Sequence, residues 1–127
     1  MKSLIRMLVT VGLILGTVAT VSSQSKVADP GFDSFWKTFK AAIAQNDKEA
    51  VADITKLPFL YDSKERDRAG FIRIYPSLFS PKIRKCIATA KLVKDQENYE
   101  VFCGQLIFYF GKDSDGKYKF LEFGVND

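Results

Sequence analysis

The chain has no histidine. That absence excludes a Ser-His-Asp triad and histidine metal ligation, and it leaves any acid–base work to carboxylates, tyrosines or lysines. Cysteine is scarce: Cys86 and Cys103 are the only two, and two thiols without histidine make a poor zinc site. No metal and no cofactor are expected. Long basic runs are missing as well. The densest stretch, Lys82-Ile83-Arg84-Lys85, is too short for a nucleic-acid patch, so no nucleic acid is expected as a partner. Internal repeats and low-complexity segments are absent. The uncharged run from Leu8 to Val21 has fourteen residues, against the roughly twenty that a membrane span needs.

That short run has a different meaning. Lys2 and Arg6 precede it and the small polar stretch Ser22-Ser23-Gln24-Ser25 follows, which is the three-part pattern of a secretory signal peptide. Residues 1–23 are therefore expected to be a signal peptide. Cleavage after Ser23 would put Val21 and Ser23 at the recognition positions. Cleavage after Ala19 or Ser22, or an uncleaved anchor, are the alternatives. The nearest cysteine downstream is Cys86, so no lipid-modified cysteine can follow the signal. The expected product is periplasmic or extracellular, with no stable membrane anchor after cleavage. Residues 24–127 then form one domain with one modest core. The net charge of +4 includes Lys2 and Arg6, so the exported part carries about +2. In an oxidising compartment Cys86 and Cys103 are expected to pair as a disulfide; the alternative is two buried thiols that never meet.

Asp29-Pro30 opens the mature fold as a cap followed by a first helical residue, with Asp33 a second candidate cap. Phe32, Phe35, Trp36, Phe39, Ala42 and Ile43 recur at three- and four-residue intervals, an apolar stripe that predicts a core helix. A membrane-surface helix would gather Lys and Arg on its polar face; here that face is mixed. The helix is expected to stop at Asn46, which with Glu49 resembles a capping box for a second helix carrying Ala50, Val51 and Ile54. Leu57 to Tyr61 reads as a short extended piece, confined by Pro58 to an edge or a strand start. Ser63 is read as the cap of a third helix through Tyr75, with Pro76 ending or bending it. Ser80-Pro81 opens a short helix with Ile83 and Ile87 inward.

From Ala88 the period changes to two. Ala88 to Asp95 is read as a strand, Tyr99 to Gly111 as one long strand, Lys112 to Gly116 as a hairpin loop and Lys117 to Val125 as its partner. Tyr118 and Phe120 alternate on one face of that last strand and Leu121 and Phe123 on the other, so a bulge there would serve both sets. Helices first and an antiparallel meander after them make an α+β layout, with helices against one face of a curved sheet.

The run Phe35 to Ile54, a long amphipathic helix, a polar break and a second helix, is similar to the opening of nuclear-transport-factor-2-like domains. The order that follows it also matches that cone-shaped α+β superfamily over nearly all of Asp29 to Asp127. The resemblance implies a strongly curved antiparallel sheet around a pocket, with the long helix as one wall. The family hosts enzymes and plain binding modules alike, so fold alone gives no function. The carboxylate base and tyrosine donor of its ketosteroid isomerases have no matching motif here.

On that expectation Trp36, Phe39, Tyr61, Tyr75, Gln105 and Tyr109 are the candidate ligand-lining residues, with Tyr118 a further aromatic that keeps a polar handle. The alternative is a filled core with each hydroxyl bonded locally. Glu122, flanked by Leu121 and Phe123, would become a candidate acid or base if it faced the concave side; Glu100 has the same ambiguity. Asp113 to Gly116 resembles a fragment of a calcium loop but lacks its other ligands. The reading is an exported binding or interaction module, for a small apolar ligand or a protein partner, with a homodimer left open. A small acid–base enzyme using Glu122 with Tyr109 is the alternative. Glu122 and Tyr109 converging in a cavity would favour the enzyme, and a filled interior beside an exposed apolar patch would favour a protein partner.

Overall fold

A computed structural model describes residues 29–126 together with Gly16. Gly16 apart, the expected signal peptide 1–23 lies outside the described residues. The first helix, α1, spans Pro30–Ala44. Its start is as the sequence suggests: the Asp29 carboxylate accepts from the Gly31 N–H at 2.8 Å, and Pro30 occupies the first turn, where a missing N–H costs nothing. All six residues of the apolar stripe are buried.

The next helix, α2, spans Lys48–Asp53, and its cap is Asp47 rather than Asn46. Asp47 accepts from the Ala50 N–H at 3.1 Å. Asn46 instead sits at φ 52°, a left-handed position that asparagine tolerates and that turns the chain out of α1. Asp47→Ala is expected to lower stability by about 1 kcal/mol, whereas Asn46→Gly, which keeps the turn, should leave urea-unfolding midpoints nearly unchanged.

A two-stranded hairpin follows, β1 (Phe59–Tyr61) against β2 (Lys64–Arg66). Ser63 belongs to its turn and caps no helix. Asp62 and Ser63 both have positive φ, 52° and 60°, as a two-residue turn of this hand requires. The helix expected there begins later: α3 spans Arg68–Leu78, capped by Asp67 through the Gly70 N–H at 2.8 Å. It also runs on past Pro76 to Leu78. The next helix, α4 (Pro81–Thr89), is capped by Ser80 as expected, with Ile87 buried and Ile83 packed beside the core.

That helix extends through Thr89, so the strand expected from Ala88 shrinks to β3, Val93–Asp95. The long strand expected from Tyr99 divides into β4 (Asn98–Cys103) and β5 (Leu106–Lys112). Gly104, at φ 63°, reverses the chain between them. The last strand, β6, spans Tyr118–Val125. Together they form an antiparallel meander in the order β3-β4-β5-β6. After α2 the chain bonds to the free edge of β6: the Lys56 N–H donates to the Phe120 carbonyl (2.8 Å), and the Phe120 N–H donates to that of Ile54 (2.9 Å).

One face of the meander carries Tyr99, Val101, Cys103, Phe108, Phe110 and Phe120, all buried; α1 packs on it at β6 and α4 at β4. The architecture is α+β, and its core is mainly aromatic. Phe110 sits at the centre, with ring centroids 5.0 Å from Phe39, 5.3 Å from Trp36, 5.6 Å from Phe120 and 6.0 Å from Phe35. Several of these pairs are edge-on or tilted, the arrangement that ring quadrupoles prefer. The Cys86–Cys103 disulfide ties α4 to the end of β4.

Register decides where Glu122 points. Tyr109 pairs with Glu122 and Phe110 with Phe120, leaving Leu121 as the extra residue of a bulge. The bulge lets Phe120 and Phe123 both pack on the core side and turns Glu122 outward, where it is exposed.

Candidate functional site

The space between α1 and the sheet is occupied by side chains. Trp36 and Phe39, expected to line a ligand pocket, are core residues at 6% and 0% exposure. Tyr75 is also buried, between Phe71 and Phe79. Its hydroxyl has no hydrogen-bond partner among the described residues, and burial pushes its pKa up. Tyr61 does border a recess: with Asp62, Ser77, Leu78, Leu106 and Phe123 it lines a shallow pocket of about 350 Å³. Gln105 is exposed at the β4–β5 turn. Tyr109 and Glu122 are cross-strand neighbours, but they meet on the open face of the sheet rather than in an enclosed cavity.

That outer face has a definite composition. Along β4 it presents Glu100 and Phe102, along β5 Ile107 and Tyr109, and along β6 Glu122 and Gly124. Val93 joins it by pairing with Glu100. Val93 and Phe102 are each 44% exposed, and Ile107 and Tyr109 are half-buried. The Tyr109 ring lies over Gly124, where an added Cβ would come within 3.3 Å of it. Glu100, Tyr109 and Glu122 form one row across three strands. Neither carboxylate is in an ion pair among the described residues.

A second recess was not visible in the sequence. Asp29, Lys94, Gln96, Glu97, Asn98, Tyr99, Lys112 and Tyr118 enclose a polar pocket of about 270 Å³ at the start of α1. The β3–β4 turn supplies its rim, with Gln96 at φ 55°. The backbone N–H of Asp29 donates to the Tyr99 hydroxyl at 3.2 Å. The Gly31 N–H and then the Tyr118 phenol hold the Asp29 carboxyl below its usual pKa against the opposing cost of burial. Burial, reinforced by the Asp29 charge, pushes the Tyr118 phenol up. Lys94 lies over the Tyr99 ring at 5.8 Å and Lys112 over the Tyr118 ring at 5.3 Å.

The calcium-like fragment is closed by the chain itself. Lys119 Nζ stands 3.0 Å from both the Asp113 and Asp115 carboxylates, a cation already supplied to the loop. Among the described residues no group of three or more His, Cys, Asp or Glu is placed to hold a metal ion. No helix among them is long and apolar enough to cross a membrane.

Comparison with family models, curated proteins and solved structures finds no match for this chain.

Proposed function

We propose that the protein is an exported interaction module that binds another protein through the outer face of its sheet and performs no covalent chemistry. The observation that carries this reading is the pairing of a filled aromatic interior with apolar side chains on the outer sheet face, Val93 and Phe102 exposed and Ile107 and Tyr109 half-buried. A packed interior leaves recognition to the surface, and a contiguous exposed apolar patch rimmed by polar groups is how protein-binding surfaces look. Export is supported by the signal pattern of residues 1–23 and fits the disulfide. The fold, on this reading, is a filled member of the nuclear-transport-factor-2-like cones, supported by element order and by helices on a single face.

The partner has a stated chemistry. Glu100 and Glu122 flank the Tyr109 ring with no cation paired to them among the described residues. An arginine or lysine laid over that ring gains a cation–π contact and two carboxylates, while an apolar neighbour covers Phe102 and Ile107. A two-fold pairing centred on Tyr109 would set the same carboxylates against each other, so the reading commits to a different protein with a basic and apolar surface.

Photo-crosslinking in the native compartment tests this. A crosslinking amino acid at Phe102 should capture one defined protein. The same group at Leu60, which is 56% exposed but on the separate hairpin, should not. Equal capture from both positions, or none from either, contradicts the assignment.

A further inference from the structure

We propose that the polar pocket at the start of α1 binds an oxyanion, a carboxylate or phosphate group borne by a small molecule. This site is separate from the outer sheet face and stands on its own observations.

The first is a pair of lysines outside any direct ion pair. Lys94 and Lys112 both line the pocket, and so do Asp29 and Glu97, yet neither lysine stands within 4.0 Å of a carboxylate among the described residues. Each ammonium rests over a tyrosine ring instead. The Asp29 carboxylate is engaged elsewhere, accepting from the Gly31 N–H and lying against the Tyr118 phenol. An anion entering the pocket therefore meets two ammoniums outside any direct ion pair among the described residues, with the Asp29 charge acting on Lys112 through space.

The second is a buried hydroxyl with hydrogen-bonding capacity to spare. Tyr99 is 2% exposed, and its ring stacks on Phe32 at 3.6 Å, which fixes its position. The hydroxyl accepts from the Asp29 N–H, and no acceptor for its own hydrogen is found among the described residues. The hydroxyl has one partner already, and an oxyanion oxygen in the pocket can accept its hydrogen, which reaches no acceptor among the described residues. Charge-assisted hydrogen bonds of this kind are shorter and stronger than neutral ones. The side-chain amide of Gln96 adds a further donor at the rim; that of Asn98 lies over Gly111 on the other face of the sheet.

Size limits the ligand. A volume of about 270 Å³ lies just below the range of sites for drug-sized molecules, so the ligand is small and polar. Phosphate and carboxylate share the chemistry that recognises them here, and the two arms of the test separate them.

The test is an amide-shift titration of the isotope-labelled protein with inorganic phosphate in one arm and acetate in the other, with sodium chloride at matched ionic strength as control. Backbone signals of Gln96, Glu97, Asn98 and Lys112 should move saturably with a midpoint in the low millimolar range, about that of a weak single-site ligand. The arm that saturates at lower concentration identifies the oxyanion. Lys94→Gln and Lys112→Gln should each raise the midpoint about tenfold, the effect of losing one charged hydrogen bond. Tyr99→Phe, which keeps the stacked ring, should raise it several-fold while the remaining spectrum stays in place. Shifts that fail to saturate in both arms, or that survive in the double variant Lys94→Gln/Lys112→Gln, overturn the proposal.

Discussion

Phe110→Ala should destabilise the protein by about 3–5 kcal/mol, the usual loss when a fully buried phenylalanine is truncated. Phe110 has no exposed surface. Its ring touches three aromatics of α1, namely Phe35, Trp36 and Phe39, and it touches Phe120 of β6. Truncation removes the ring that joins the helix to the sheet, and the edge-on and tilted rings around it cannot collapse fully into the space. Phe102 is the comparison: same residue type, next strand, opposite face, 44% exposed. Phe102→Ala should cost less than about 1 kcal/mol, as surface changes do. Urea unfolding followed by far-ultraviolet circular dichroism measures both. Equal losses at the two positions would mean that α1 does not cover the sheet as described.

Reduction of Cys86–Cys103 should cost about 3 kcal/mol, the chain-entropy value for a closed loop of this size; the two cysteines are seventeen positions apart. The loop holds the end of α4, all of β3 and most of β4. β3 is a three-residue edge strand with every side chain exposed, so it contributes little burial of its own to hold this region in place. Cys103 is buried against the core and Cys86 is half-buried, so the bridge also pins α4 over β4. In a domain of this length the loss corresponds to a melting-temperature drop of about 12–24 °C. Thermal melts with and without reductant measure it, with the alanine double variant as a check. A melting temperature that reductant leaves unchanged would show that the bridge carries no stability.

Legibility in the sequence followed the strength of local signals. The stripe of α1 could be read because six apolar residues repeat at helical spacing and Asp29-Pro30 marks the start. The β5–β6 hairpin could be read because Lys112 to Gly116 is polar throughout, and the bulge because the final strand has apolar residues on both faces. The β4–β5 turn was hidden. Gly104-Gln105 is only two residues long and apolar runs flank it on both sides, so thirteen residues from Tyr99 to Gly111 read as one strand. Ser63 and Asp67 are both plausible caps by type; only the positive φ of Asp62 and Ser63 makes the first a hairpin turn. The orientation of Glu122 depended on the bulge at Leu121, since strict alternation would have placed it on the same face as Phe120. The polar pocket was the least legible feature. Its lining comes from separate positions, residue 29, residues 94–99, residue 112 and residue 118, which only the sheet register brings together.

The central claim is that recognition happens on the outer face of the sheet, and the most direct measurement is calorimetric affinity for the protein captured at Phe102. Phe102→Asp should weaken that affinity by at least about a hundredfold, as expected for an apolar anchor at the centre of an interface. Its melting temperature should stay within a few degrees of the parent, because the side chain is not part of the core. An unchanged affinity in a folded Phe102→Asp variant would contradict the claim.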